Sequence, residues 1–135
     1  MKQILLALIF NILFFVNSFS QDQPKDTLYI ESVDYSILTN SSISCERFAT
    51  NFKNAINFKA ISNPDTLLML DSFLDKLKYV RKNREIDVRA KLIYERKDKS
   101  DITICTNGYE VLVEGRLIKH NNRFIDFLRE LIKKG

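Results

Sequence analysis

Sixteen residues, Asp101 to Arg116 (DITICTNGYEVLVEGR), restrict the fold more than any other stretch. Asn107-Gly108 is the dipeptide that best tolerates the two positive φ angles of a type I′ turn, and runs rich in β-branched residues flank it. The stretch predicts a β-hairpin with a two-residue loop, in which Ile104 faces Val111, Ile102 faces Val113 and Asp101 faces Glu114. Ile102, Ile104, Val111 and Val113 then share a face that must be buried. Thr103, Cys105, Glu110 and Leu112 share the other, which needs only partial cover.

The N-terminus addresses this hairpin to a compartment. Met1 and Lys2 lead into an apolar run from Ile4 to Val16, broken only by Asn11, and the run ends in the small-x-small pattern Ser18-Phe19-Ser20. A membrane-spanning helix needs about twenty apolar residues, so this shorter run reads as a signal peptide over 1–20, cut after Ser20. No cysteine lies near the cut to take a lipid. Residues 21–26 (QDQPKD) form a polar, disordered leader, and 27–135 are the length of a single domain. Export places Cys45 and Cys105 in an oxidising setting, where two cysteines are most simply read as one disulfide.

Along the domain, Leu28 to Leu38 is β-rich, with an alternation that slips near Glu31 and Ser32. Cys45, Phe48, Ala49 and Phe52 fall on one face of a short helix over Cys45 to Asn54, and Ala55 to Ile61 returns to a period of two. Asn63 as cap and Pro64 in the first turn open a long helix with the stripe Leu67, Leu70, Phe73, Leu74, Leu77 and Val80. Lys78, Arg81 and Lys82 then sit in its last turn, where cations complement the helix dipole. Ile86 to Tyr94 alternates strictly and reads as a half-buried strand. Glu114-Gly115 offers a second tight turn, which places Leu112 opposite Leu117 and Glu110 opposite Lys119. Asn121 or Asn122 caps a last helix with the stripe Phe124, Phe127, Leu128 and Leu131. The expected fold is α+β: an antiparallel sheet made of a C-terminal four-strand meander plus N-terminal strands, packed by two main helices and one short helix.

Charge is divided unevenly. Gln21 to Asp75 holds 4 basic and 8 acidic side chains, whereas Lys76 to Gly135 holds 16 and 9. The expected basic face is Lys78, Arg81, Lys82, Arg84, Arg89 and Lys91, a solvated surface suited to an acidic protein partner. Export argues against nucleic acid as that partner.

The groups that could do chemistry are sparse. His120 is the only histidine, so it alone could serve as an imidazole base. Cys45 at the start of its helix could act as a thiol nucleophile, but pairing with Cys105 removes it. Asp101 and Glu114, opposed across the expected hairpin, are the one carboxylate pair close enough to share a proton or a hard cation. Two cysteines sixty residues apart and a single histidine lack zinc-ligand spacing, and no glycine-rich phosphate loop exists. No cofactor is implied. The sequence therefore favours a small exported, non-enzymatic binding module, of which an inhibitor or immunity-type protein is one form. An enzyme using Cys45 or the Asp101/Glu114 pair is the first alternative, and a structural component of the cell envelope the second.

Overall fold

The structure, a computed structural model, describes residues 25–133; the expected signal peptide and the leader up to Pro24 lie outside them. Alternating apolar residues build one six-stranded sheet. Its strands are β1 (Thr27–Ser32), β2 (Asn57–Ile61), β3 (Ala90–Glu95), β4 (Ile102–Thr106), β5 (Val111–Val113) and β6 (Arg116–Leu117). They lie in the order β2-β1-β3-β4-β5-β6, and each neighbouring pair is antiparallel. The C-terminal half is the expected meander, and the N-terminal strands extend it from β3. Three helices complete an α+β fold: α1 (Phe48–Phe52), α2 (Pro64–Leu74) and α3 (Asn122–Lys133).

Period two gives the sheet two apolar faces, and each has its own cover. On the first, Leu28, Ile30, Leu92, Tyr94, Ile104, Val111 and Val113 meet Leu67 and Leu70 of α2 and Phe124, Leu128 and Leu131 of α3. Phe73 of α2 joins the two helices, with its ring centroid 5.3 Å from that of Phe124 and 5.2 Å from that of Phe127. Each such side chain contributes roughly 1.5–3 kcal/mol when fully buried. Tyr94 is fully buried and donates its hydroxyl to Asp71 at 3.2 Å; burial and then the Asp71 charge push its pKa up to about 12, which keeps it a neutral donor. On the second face, Phe48 and Phe52 of α1 pack with Val33, Ile43, Ile86 and Val88 over Cys105, Leu112 and Leu117. Cys45 and Cys105 are joined, with their Cα atoms 5.9 Å apart. The bond fixes the short helix against the sheet.

The helix caps form as the sequence implies. The Asn63 side chain accepts from the Thr66 N–H at 3.0 Å, and that of Asn121 accepts from the Phe124 N–H at 3.2 Å.

The hairpin keeps its faces but changes its register. Ile104 faces Val113, Cys105 faces Leu112 and Thr106 faces Val111, so the loop spans Asn107 to Glu110 rather than two residues. The Asn107 side chain accepts from the N–H groups of Tyr109 (2.9 Å) and Glu110 (2.8 Å), and the Thr106 hydroxyl donates to the Glu110 carbonyl (2.7 Å). These side-chain bonds satisfy backbone groups of the four-residue loop itself, and they favour it over the two-residue turn. A shift of two residues leaves every side chain on its face. The tight turn with two positive φ values lies instead at Glu114 (+50°) and Gly115 (+71°), with Leu112 opposite Leu117 as expected.

Three other expectations are corrected. Strand β1 stops at Ser32, because the Asp34 carboxylate accepts from the Ser36 N–H at 2.8 Å and turns the chain; that hydrogen bond holds its pKa below the usual carboxylate value. The strand expected from Ile86 begins at Ala90, since the chain bends at Arg89, and Ile86 and Val88 serve the second face while Leu92 and Tyr94 serve the first. Helix α2 stops at Leu74. Leu77 and Tyr79 then pack on the first face and Val80 on the second, a period of two. Lys78, Arg81 and Lys82 therefore do not occupy a last helical turn.

Two stability measurements test this architecture. At Gly108 (φ +89°) an added Cβ would lie 3.0 Å from the Tyr35 ring, whereas at Gly115 it meets nothing within 4 Å. Gly115→Ala should cost about 1 kcal/mol for its left-handed backbone, and Gly108→Ala about 2–3 kcal/mol because a contact is added to the same penalty. Equal urea midpoints for the two variants would refute the packing of Tyr35 on the hairpin loop. Reducing the disulfide should remove about 4 kcal/mol in the loop-entropy account and raise hydrogen exchange over residues 44–52 before α2 loosens. Unchanged protection there after confirmed reduction would show that the bond does not hold α1 in place.

Candidate functional site

The segment after α2 lies alongside β6 and closes the sheet at that end. Tyr79 forms an antiparallel bridge with Ile118; the Val80 N–H donates to the Leu117 carbonyl at 3.0 Å and the Lys119 N–H to the Lys78 carbonyl at 2.7 Å. Asn83 fastens the segment's end, accepting from the Leu117 N–H and donating to the Gly115 carbonyl, both at 2.7 Å. Each of the paired segments, Lys78-Tyr79-Val80-Arg81 and Arg116-Leu117-Ile118-Lys119, has a cation, two apolar residues and a cation. Antiparallel pairing sets apolar against apolar, and cation against cation.

This register puts Lys78 directly opposite Lys119 on one face of the edge. On the other face the Arg116 guanidinium lies over the Tyr79 ring, 4.1 Å from its centroid, a favourable cation–π contact. Arg81 and Lys82 follow at the bend beyond Val80, and all of these cations except the stacked Arg116 extend into solvent without an aromatic contact. Among the described residues, the salt bridges join Arg84 to Glu110, Arg89 to Asp87 and Arg129 to Asp126. None of them neutralises Lys78, Arg81, Lys82, Arg116 or Lys119. Directly opposed like charges destabilise a sheet, so the fold places these cations here at a cost.

The six residues expected to form one basic face are divided by the structure. Lys78, Arg81 and Lys82 come together at the edge and are exposed. Arg84 is exposed nearby but its charge is engaged by Glu110. Arg89 is buried, 7% exposed, and holds Asp87 with two hydrogen bonds of 2.8 and 2.7 Å, Thr39 at 3.2 Å and the face of Phe52 at 5.5 Å. It is a structural cation, and counting charges along the sequence cannot separate it from solvated ones. Lys91 lies on β3 opposite Glu31 and Cys105, far along the sheet from the edge. Arg116 and Lys119 were missed. The matching cation–apolar–apolar–cation segments were the signal that could have found them.

The expected carboxylate pair does not form. Glu114 sits across from Thr103, whose N–H donates to the Glu114 carboxylate, and Asp101 is not its partner. The β5–β6 register expected to set Glu110 opposite Lys119 is kept, with Leu112 opposite Leu117 and Ile118 bonded to Val111, but the Glu110 carboxylate is engaged by Arg84 and forms no salt bridge with Lys119. Cys45 is bonded to Cys105 and offers no thiol. His120 is exposed, with Nε2 2.6 Å from the Asn122 side-chain oxygen. Among the described residues, no three His, Cys, Asp or Glu side chains are grouped to hold a metal ion, and no helix is long and apolar enough to cross a membrane.

Two clefts open near these residues. One of about 620 Å³ lies on the second face between Cys45, Ile86 and Leu112, with Glu46, Glu85, Glu114 and Lys91 on its walls. The Glu46 carboxyl is held below its ordinary pKa by hydrogen bonds from its own backbone and from Ser44, with added attraction from Lys91. The other, about 280 Å³, adjoins the basic edge; Val80, Leu117 and Ile118 form its floor and Lys82, His120 and Tyr109 its rim. Compared with known proteins, the chain matches no protein-family model, no curated protein and no solved structure.

The opposed lysines carry a stability prediction. Lys78→Glu converts a repulsive cross-strand pair into an attractive one and should raise stability by about 0.5–1 kcal/mol at low ionic strength, with the gain shrinking as salt screens exposed charge. Urea midpoints at low and high salt measure this. A lower midpoint for the variant at low salt would contradict the register.

Proposed function

We propose that this protein is an exported, non-enzymatic binding module that docks an acidic protein partner through the basic edge formed by Lys78, Arg81, Lys82, Arg116 and Lys119. The observation that carries the reading is the direct opposition of Lys78 and Lys119 on an edge where, among the described residues, no carboxylate forms a salt bridge with either. A partner's carboxylates would relieve that repulsion, so the free energy stored there is returned on binding. Complementary charge of this kind also steers encounter and suppresses wrong partners. Export is supported by the signal-like N-terminus and by the disulfide, a bond typical of oxidising compartments. The bonding of Cys45 to Cys105 and the register that sets Glu114 across from Thr103 rather than Asp101 favour this reading over an enzyme that uses Cys45 or the Asp101/Glu114 pair.

The test uses poly-glutamate as a defined acidic probe and the protein recovered from an exporting host. Wild type should bind the polymer at low salt and release it as salt rises, whereas Lys78→Glu with Lys119→Glu should bind at least about tenfold more weakly, a loss of about 1.4 kcal/mol. Affinity capture from envelope extracts should then return acidic proteins with wild type only. Equal polymer binding by both proteins would refute the basic edge as the docking surface.

A further inference from the structure

We infer that the acidic partner is received as an extended segment that adds a strand to the sheet at Tyr79, an inference that rests on the reading just given. In an antiparallel ladder, residues alternate between pointing their N–H and C=O groups toward one neighbour and toward the other. The Lys78 carbonyl and the Val80 N–H point inward to Lys119 and Leu117. Tyr79, between them, points its own N–H and C=O outward, away from β6. Ile118, its bridge partner, shows the same alternation from the other side, donating its N–H at 3.1 Å to Val111 of β5. Among the described residues, neither outward group of Tyr79 has a hydrogen-bond partner. The edge thus offers one donor and one acceptor spaced to exchange both bonds with a single residue of an added antiparallel strand.

The surroundings define the chemistry of that strand. Its residue opposite Lys78 falls on the face of the Lys78–Lys119 pair and is matched by a carboxylate. The central residue, opposite Tyr79, falls on the other face, where the Arg116 guanidinium lies over the Tyr79 ring, and is matched by a second carboxylate. The residue opposite Val80 falls beside Val80, which with Leu117 and Ile118 lines the cleft of about 280 Å³, and is matched by an apolar side chain. Antiparallel to residues 78–80, the segment reads apolar, acidic, acidic from its N-terminal side. Main-chain bonds supply affinity and alternate side chains supply specificity, as in other cases of strand addition.

The experiment titrates isotope-labelled protein, observed by NMR, with a capped pentapeptide of the order serine, valine, glutamate, glutamate, serine, and with the same peptide methylated on the backbone nitrogen of its first glutamate. The parent peptide should shift the amide signals of residues 78–82 and 116–120 at millimolar concentration and slow exchange of the Tyr79 amide. Methylation leaves every charge in place but removes the donor to the Tyr79 carbonyl, and should weaken binding about tenfold, the scale of one hydrogen bond. Equal affinity of the two peptides, no binding of the parent, or unchanged Tyr79 exchange would overturn strand addition. The variant with Lys78→Glu and Lys119→Glu separates the two proposals. Loss of binding in it without any methylation effect overturns strand addition and leaves acidic docking standing; undiminished binding in it overturns acidic docking itself.

Discussion

A six-stranded sheet has two faces to bury, and both long helices among the described residues lie on the same one. Leu67, Leu70, Phe124, Leu128 and Leu131 close the first face. The second is left with one turn and a half of helix and the loops around it. A helix as short as Phe48–Phe52 is unstable by itself, since nucleation costs more than so few hydrogen bonds return. The bond from Cys45 to the fully buried Cys105 therefore does for the second face what helix length does for the first. It brings Phe48 and Phe52 onto Leu112 and Leu117. Arg89 completes this layer from below, its charge neutralised by Asp87 and its plane set against Phe52.

The second face is covered only where α1 reaches. Toward β2, Tyr29 and Phe58 stack with ring centroids 6.0 Å apart, and Phe58 remains 64% exposed. The cover is concentrated instead over β4, β5 and β6, the strands that lead to the basic edge. Rigid support beneath an edge reduces the ordering cost of any association there, which favours the proposed docking, and the disulfide, the hydrogen bonds of Asn83 and the stacked Arg116 all lie on that side of the sheet.

Period and capping made much of this legible in the residues. The meander, the caps at Asn63 and Asn121, and the placement of the short helix over Cys105 and Leu112 follow from apolar spacing and from an even cysteine count. What could not be read has specific causes. Leu77, Tyr79 and Val80 satisfy a helical stripe and an alternating strand about equally well, and only the distant partner at residues 117–119 decides between them. The hairpin register turns on bonds made by the Asn107 and Thr106 side chains, which compete with a two-residue turn that the dipeptide alone favours. The candidate site depends on the first of these: a helical reading of residues 77–80 cannot set Lys78 opposite Lys119. Arg89 has a separate cause, since only the tertiary contacts with Asp87 and Phe52 distinguish it from a surface cation.

The two ends of the sheet use cations in opposite ways, and the contrast bears on function. At the β2 end, Lys59 reaches back to the backbone carbonyls of Leu131 and Ile132 in the last turn of α3. A cation there meets the negative end of the helix dipole and reinforces the fold; partial burial lowers its pKa without removing that bond. At the other end, Lys78 and Lys119 meet each other. A repulsion of about 0.2–1 kcal/mol is small beside the net stability of a domain, yet a single acidic replacement would turn it into attraction. Stability alone would favour that replacement, whereas a surface shaped to take carboxylates from another molecule needs the cations left as they are.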